Sequence, residues 1–206
     1  MKMNFKFFSL IGIMVLSISF AGCDKDDDDS NSLTDSRDGN TYRIITIGDQ
    51  TWMAENIAFK PTIGNYWSPK GDAGSVGTYG YLYNWEAAQT VAPDGWHLPS
   101  KAEWDELSNF LGTNDGGGKM KEEGTSHWVS PNTGATNASG FSALPAGGRF
   151  FDNDPFKYFG EYAYFWTATE SVANFGSYYY LYSGDEYLHT SSNAMQFGFS
   201  VRCVKD

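Results

Sequence analysis

The sequence predicts one small domain of mixed helix and strand, built from short elements and long loops. Two stretches and one compositional bias carry that prediction. Thr41–Ile47 alternates and is rich in β-branched residues between two turn signals, while Ser100-Lys101-Ala102-Glu103 opens a helix whose apolar residues recur on one face. Aromatic residues make up 17% of the chain, with 23 Gly, 7 Trp and 13 Tyr against 19% charged residues. Such a chain fills its core with large rings and turns tightly at glycines, which leaves few long helices.

Residues 1–22 read as a leader. Lys2 and Lys6 form a basic head, residues 7–20 are an apolar run too short to span a bilayer as a stable helix, and the run closes on Phe20-Ala21-Gly22-Cys23. That ending resembles a bacterial lipobox, with Phe20 in place of the usual Leu, and implies cleavage before a lipidated Cys23. The alternative is an ordinary secretory signal. Residues 23–33 read as an acidic flexible tether, because Asp24-Lys25-Asp26-Asp27-Asp28-Asp29 repels itself and has no apolar surface to bury. An acidic stretch directly after a lipidated cysteine resembles the surface-export signal of Bacteroidetes lipoproteins. The expected location is therefore the outer membrane, lipid-anchored and facing outward.

Residues 34–206 read as a single domain. Asp38-Gly39-Asn40 and Gly48-Asp49 bracket a first strand, and Gln50-Thr51-Trp52 returns as the second arm of a hairpin. Residues 57–79, rich in Gly, Pro, Asn and Ser, read as a long ordered loop that carries Tyr66 and Trp67. A short helix is expected over 83–89, ending before Pro93-Asp94-Gly95. The Ser100–Glu103 capping box starts the clearest helix, with Trp104, Leu107 and Leu111 on one face and Gly112 as its stop, so Trp104 belongs to the core. Loops and short strands follow at 119–121, 128–129, 141–144 and 147–151. Aromatic or β-branched stretches at 162–169, 177–182, 186–190 and 197–204 read as strands.

Without residues 1–22, 184 residues remain and the formal charge moves from −11 to −13, because Lys2 and Lys6 leave with the leader. No cluster of Lys and Arg is present to release counterions from phosphates, so nucleic acid is excluded as a partner. With Cys23 given to lipid, Cys203 has no cysteine to pair with and reads as a buried, inert thiol. Gly116-Gly117-Gly118-Lys119 fails as a phosphate loop, since Thr113 and Met120 stand where Gly and Ser or Thr are needed. Asp152-Asn153-Asp154 fails as a hand-type calcium loop at Lys157 and Ala163. His97, His127 and His189 are too dispersed for a local zinc motif and read as packed or surface residues. No metal, no cofactor and no catalytic residue is predicted.

Seven segments occur together in order: Gly80-Tyr81-Leu82-Tyr83-Asn84-Trp85, Gly95-Trp96-His97-Leu98-Pro99-Ser100 with Glu103-Trp104, Gly118-Lys119-Met120-Lys121, Ser139-Gly140-Phe141-Ser142-Ala143-Leu144-Pro145, Gly147-Gly148-Arg149, Phe165-Trp166-Thr167-Ala168-Thr169-Glu170 and Gly198-Phe199-Ser200-Val201-Arg202-Cys203-Val204. They resemble the Fibrobacter succinogenes major paralogous domain. That family is itself similar to the C-type-lectin-like fold of formylglycine-generating enzymes. The resemblance implies an α+β, C-type-lectin-like fold with two short helices, small twisted antiparallel sheets and long ordered loops. It also argues against an enzyme, because the related enzymes use a pair of cysteines and this body has only Cys203. Calcium-bridged sugar binding has no support either, since no Glu-Pro-Asn or Gln-Pro-Asp triplet occurs.

Trp85, Trp96, Trp104, Arg149, Trp166, Arg202 and Cys203 are read as structural. Candidate ligand contacts are Trp67, Tyr158, Tyr178, Tyr180 and Tyr182. Over 177–182, alternation sends Tyr179 and Leu181 one way and Tyr178, Tyr180 and Tyr182 the other. The triple-tyrosine side is either an open platform for sugar rings or a second aromatic core under loops 57–79 and 150–165. The sequence favours the covered arrangement, because a ring-rich body must bury rings somewhere. The expected function is a surface-anchored, non-catalytic binding module for a glycan or a surface protein. An envelope accessory subunit is the alternative, and an enzyme of unrecognised type a distant third.

Overall fold

The computed structural model describes Met1, residues 31–151 and residues 155–206. The rest of the leader, Cys23 and the acidic run through Asp29 lie outside the described residues, as does Asp152-Asn153-Asp154. The chain runs β1 (Ser32–Thr34), β2 (Thr41–Ile47), β3 (Gln50–Met53), β4 (Tyr66–Trp67), α1 (Val76–Tyr79), β5 (Leu82–Tyr83), α2 (Trp85–Ala88), β6 (Trp96–His97), α3 (Lys101–Leu111), α4 (Gly116–Met120), β7 (Gly148–Arg149), β8 (Phe156–Lys157), β9 (Tyr162–Val172), β10 (Phe175–Tyr182), β11 (His189–Ala194) and β12 (Val204–Lys205). Among the described residues these form four antiparallel sheets: β1-β2-β3-β12-β6, β11-β10-β9, β4-β5 and β7-β8. No helix among the described residues is long and apolar enough to cross a membrane.

The mixed helix-and-sheet class holds, and so do its best-signalled elements. In α3, Glu103 N donates to Ser100 Oγ and Ser100 N donates back to Glu103 Oε2 at 2.7 Å, so two orphan donors of the first turn are satisfied. The same helix buries Trp104, Leu107 and Leu111. The hairpin of β2 and β3 pairs Ile47 with Gln50 across the Gly48-Asp49 turn.

Four expectations need correction. The described residues hold four α-helices, where two were expected. One is α1, inside the stretch read as loop, and another is α4, in part of which a strand was expected. Three glycines with poor helix propensity hid α4. They are required by packing: a Cβ on Gly117 would lie 2.2 Å from Tyr187 O, and one on Gly118 would lie 2.3 Å from Gly134 O. The strand expected over 186–190 begins only at His189, because the Asp185 side chain accepts from Tyr187 N at 3.0 Å and holds a turn there. Within 197–204, Gly198, Phe199 and Ser200 make only single bridges, to Arg149, Tyr83 and Phe165, and a strand, β12, begins only at Val204. At the other end, β1 takes in Ser32 and Leu33, which lie within the stretch read as tether.

Alternation along β9 and β10 feeds the two larger cores. Ala163, Phe165, Tyr179 and Leu181 point into a core with Trp52, Trp104, Trp128 and Phe141, while Tyr164, Trp166 and Tyr178 point into a second core with Tyr83, Phe199 and Cys203. Sheet β9-β10-β11 is thus a partition, and its second face runs out from that core to the surface. Register fixes what stands there.

Candidate functional site

Cross-strand register builds the site. Tyr162 lies opposite Tyr182, Tyr164 opposite Tyr180 and Trp166 opposite Tyr178, and Tyr180 in turn lies opposite His189. Because side chains two residues apart share a face, all these rings stand on one side of the sheet. Burial grades along it: Tyr178 and Tyr164 are 8% and 7% exposed against Phe199, whereas Tyr162, Tyr180, Tyr182 and His189 are half-buried.

The rings pack on one another. Tyr162 stacks on Tyr182 at 4.6 Å with 21° between planes and on Tyr164 at 5.4 Å with 3°, and Tyr180 stacks on the imidazole of His189 at 4.7 Å with 11°. Neighbours in near-parallel stacks cover one another's faces, so the row presents edges and phenol hydroxyls outward. None of the phenol oxygens of Tyr158, Tyr162, Tyr180 and Tyr182 has a hydrogen-bond partner among the described residues. Burial raises the pKa of Tyr162, Tyr164 and Tyr180, with neighbouring phenols adding to the effect. At neutral pH each is therefore a neutral O–H that both donates and accepts. Asp185, hydrogen-bonded to His189 Nε2 at 3.0 Å, and exposed Glu161 place carboxylates at the margin.

The loop before β9 covers one end. Tyr158 adopts a left-handed φ of 63°, and its carbonyl accepts from both Glu161 N and Tyr162 N at 3.0 Å. This turn sets its ring 5.2 Å from Tyr162 and leaves it 44% exposed. Phe150 fills the space between Tyr158, Tyr164 and Phe197. The opposite rim is fixed by Lys121, which has no exposed surface. Its Nζ donates to Thr133 O, Tyr182 O and Asp185 O at 2.8, 3.0 and 2.7 Å. Burial pulls its pKa down to about 8.

Of the five candidate contacts, Tyr158, Tyr178, Tyr180 and Tyr182 come together here. Trp67 does not: it lies under the Arg149 guanidinium, 4.2 Å away, and against Gly198. The open-or-covered question resolves in between. Loop 150–165 covers part of the row, and no ring of loop 57–79 reaches it. The sequence reading singled out neither Tyr164 nor His189 nor Phe150. The signal lay in reading residues 162–166 against 178–182 as an antiparallel pair.

The residues read as structural are buried or bonded. Trp96, Trp104 and Trp166 are buried, and Trp85 lies against Gly176 and donates to Thr167 O at 2.8 Å. Cys203 is a buried free thiol whose pKa burial pushes up. Each histidine meets a carboxylate: His97 lies 2.6 Å from Asp206 and 2.7 Å from Glu103, and His127 lies 2.8 Å from Glu122. Burial lowers the His97 pKa, but its two carboxylates more than offset that and raise it. The Ser100 hydroxyl donates to Glu103 and not to His97. Among the described residues no group of three or more His, Cys, Asp and Glu side chains is placed to hold a metal ion.

A small α+β domain that partitions two ring-rich cores and carries a row of tyrosines to its surface is the class these features define. Residues 45–205 match the family described as the Fibrobacter succinogenes major domain, and the chain belongs to that family. No curated protein and no solved structure matches it.

Proposed function

We infer that this protein is a surface-anchored, non-catalytic binding module of C-type-lectin-like architecture, held by lipid on Cys23, and that its ligand is a glycan. One observation carries the reading: a row of part-exposed tyrosines whose hydroxyls find no partner among the described residues. Because stacking hides much of the ring faces, recognition runs through the phenol hydroxyls and ring edges, with the more exposed Tyr158 offering a face to a sugar ring. Glu161 and Asp185 supply the acceptors that bind sugar hydroxyls.

The test is a glycan array probed with the full chain in detergent micelles. Binding to a defined set of glycans is expected, weakened about tenfold by Tyr180→Ala or Tyr182→Ala with near-ultraviolet circular dichroism unchanged. No binding by folded wild type across a broad array, or binding indifferent to both substitutions, overturns the reading. Mass spectrometry of the cell-derived protein tests the anchor: a diacylated Cys23 at the mature N-terminus is expected.

A further inference from the structure

Arg202 lies on the floor of an open cleft of about 400 Å³, walled by residues of β2, the segment after β3, α1 and the loops around residues 122, 137 and 142. Only 1% of it is exposed. Its guanidinium sits 4.3 Å over Phe141 and donates through both Nε and Nη2 to a single oxygen, Asn56 Oδ1, at 3.1 and 2.7 Å. Nη1 donates to Phe141 O. A guanidinium carries five N–H groups, so two have no acceptor among the described residues.

The charge itself feels the Glu55 carboxylate only at longer range and is opposed by Arg43. Arg202 makes no ion pair among the described residues, and the two carboxylates on the cleft walls are engaged elsewhere: Glu55 with Arg43 at 3.2 Å and Glu122 with His127 at 2.8 Å. A neutral amide oxygen stands where a carboxylate would offer two charged ones, and removing a guanidinium from water without such a partner is costly. Asn56 is held in this role, since its Nδ2 donates to Tyr79 O at 2.9 Å and Ser200 Oγ at 3.3 Å.

The rim carries backbone strain. Asn137 and Ser142 have φ of 49° and 54°, held by mutual bonds of 2.9 Å from Asn137 Nδ2 to Ser142 Oγ and from Ser142 N to Asn137 Oδ1. Left-handed non-glycine residues persist where surroundings over-determine them, as around binding sites. A neighbouring hollow shares Glu55, Asn56, Gly77 and Thr78 with the cleft.

We propose that this cleft binds a small organic carboxylate of sugar-acid size, its carboxylate drawn to the two free N–H groups of Arg202 and its hydroxyls turned to the wall of Asn137 and Thr78. None of the lining residues belongs to the tyrosine row, so this site stands or falls apart from the glycan reading.

The test uses the full chain in detergent micelles, titrated with D-glucuronate and, at matched ionic strength, with D-glucose. Glucuronate is expected to raise the unfolding temperature saturably and to shift the Arg202 Nε–H resonance, while glucose does neither. Arg202→Gln should abolish the response. Because that variant may not fold, Thr78→Glu at the exposed rim provides a second: a like charge facing the ligand should weaken glucuronate binding about tenfold or more. Equal responses to glucose and glucuronate, no response to either, or a Thr78→Glu variant that binds as wild type overturns the proposal.

Discussion

Lys121 shows how one buried side chain holds the rim of the tyrosine row. Its ammonium is satisfied by three backbone carbonyls, two of which belong to Tyr182 and Asp185, the ends of the turn that sets the rim of the tyrosine row. Lys121→Met keeps the aliphatic stem but orphans three part-buried acceptors, each costing up to about 1–3 kcal/mol when unsatisfied, partly offset by removing a buried charge. A loss of about 3 kcal/mol in urea unfolding is expected. The pKa of about 8 against an unfolded 10.5 fixes the sign of its pH dependence. Between those values the unfolded chain holds the extra proton, so this group's contribution to stability rises with pH and is most unfavourable below pH 8. A Lys121→Met variant should lack that rise.

At the scale of elements, α4 is where local sequence and tertiary demand conflict. Gly116-Gly117-Gly118 is a poor helix on propensity alone, yet Gly118 N donates to Glu186 O at 2.9 Å and the chain around Gly134 packs directly on Gly118. Gly118→Ala gains helix propensity but drives a Cβ to 2.3 Å from Gly134 O. Overpacking of this kind costs typically 1–3 kcal/mol, more than the roughly 1 kcal/mol that propensity returns, so thermal unfolding should show net destabilisation. This is also why α4 was illegible while α3 was not. A capping box and an apolar stripe are local signals, read off Ser100, Glu103, Trp104 and Leu107. The glycines of α4 answer to backbone up to about seventy residues away, and a sequence carries no mark of that. The tyrosine row falls between these cases. Alternation assigned the faces of β10 correctly, but the stacking of Tyr162 on Tyr182 and of His189 on Tyr180 depends on register between strands, which alternation leaves open.

Apart from the exposed row, the molecule buries several of its phenols, among them Tyr42, Tyr83, Tyr164 and Tyr179, and alkaline pH is where that becomes measurable. Burial pushes Tyr42 up to about 12, and it raises Tyr83, Tyr164 and Tyr179 as well, the last also through the bond its hydroxyl donates to Asp105. A folded pKa above the unfolded value of 10.0 means that the folded chain holds protons the unfolded chain has lost. The stability these groups contribute is intact below pH 10 and drains as pH climbs through their folded values. Four buried phenols outweigh the opposite trend of Lys121, which ends near pH 10.5. The unfolding temperature should therefore be level or rise slightly between about pH 8 and 10, then fall steeply. Tyrosinate absorbance from the buried rings should appear in one cooperative step together with loss of the near-ultraviolet signal. Tyr164→Phe keeps the ring against Phe199 and removes a hydroxyl with no hydrogen-bond partner among the described residues, so it should move that step to higher pH. A gradual rise in tyrosinate ahead of unfolding would mean that the second core admits hydroxide, and that its rings are less closed than their packing on Phe199 implies.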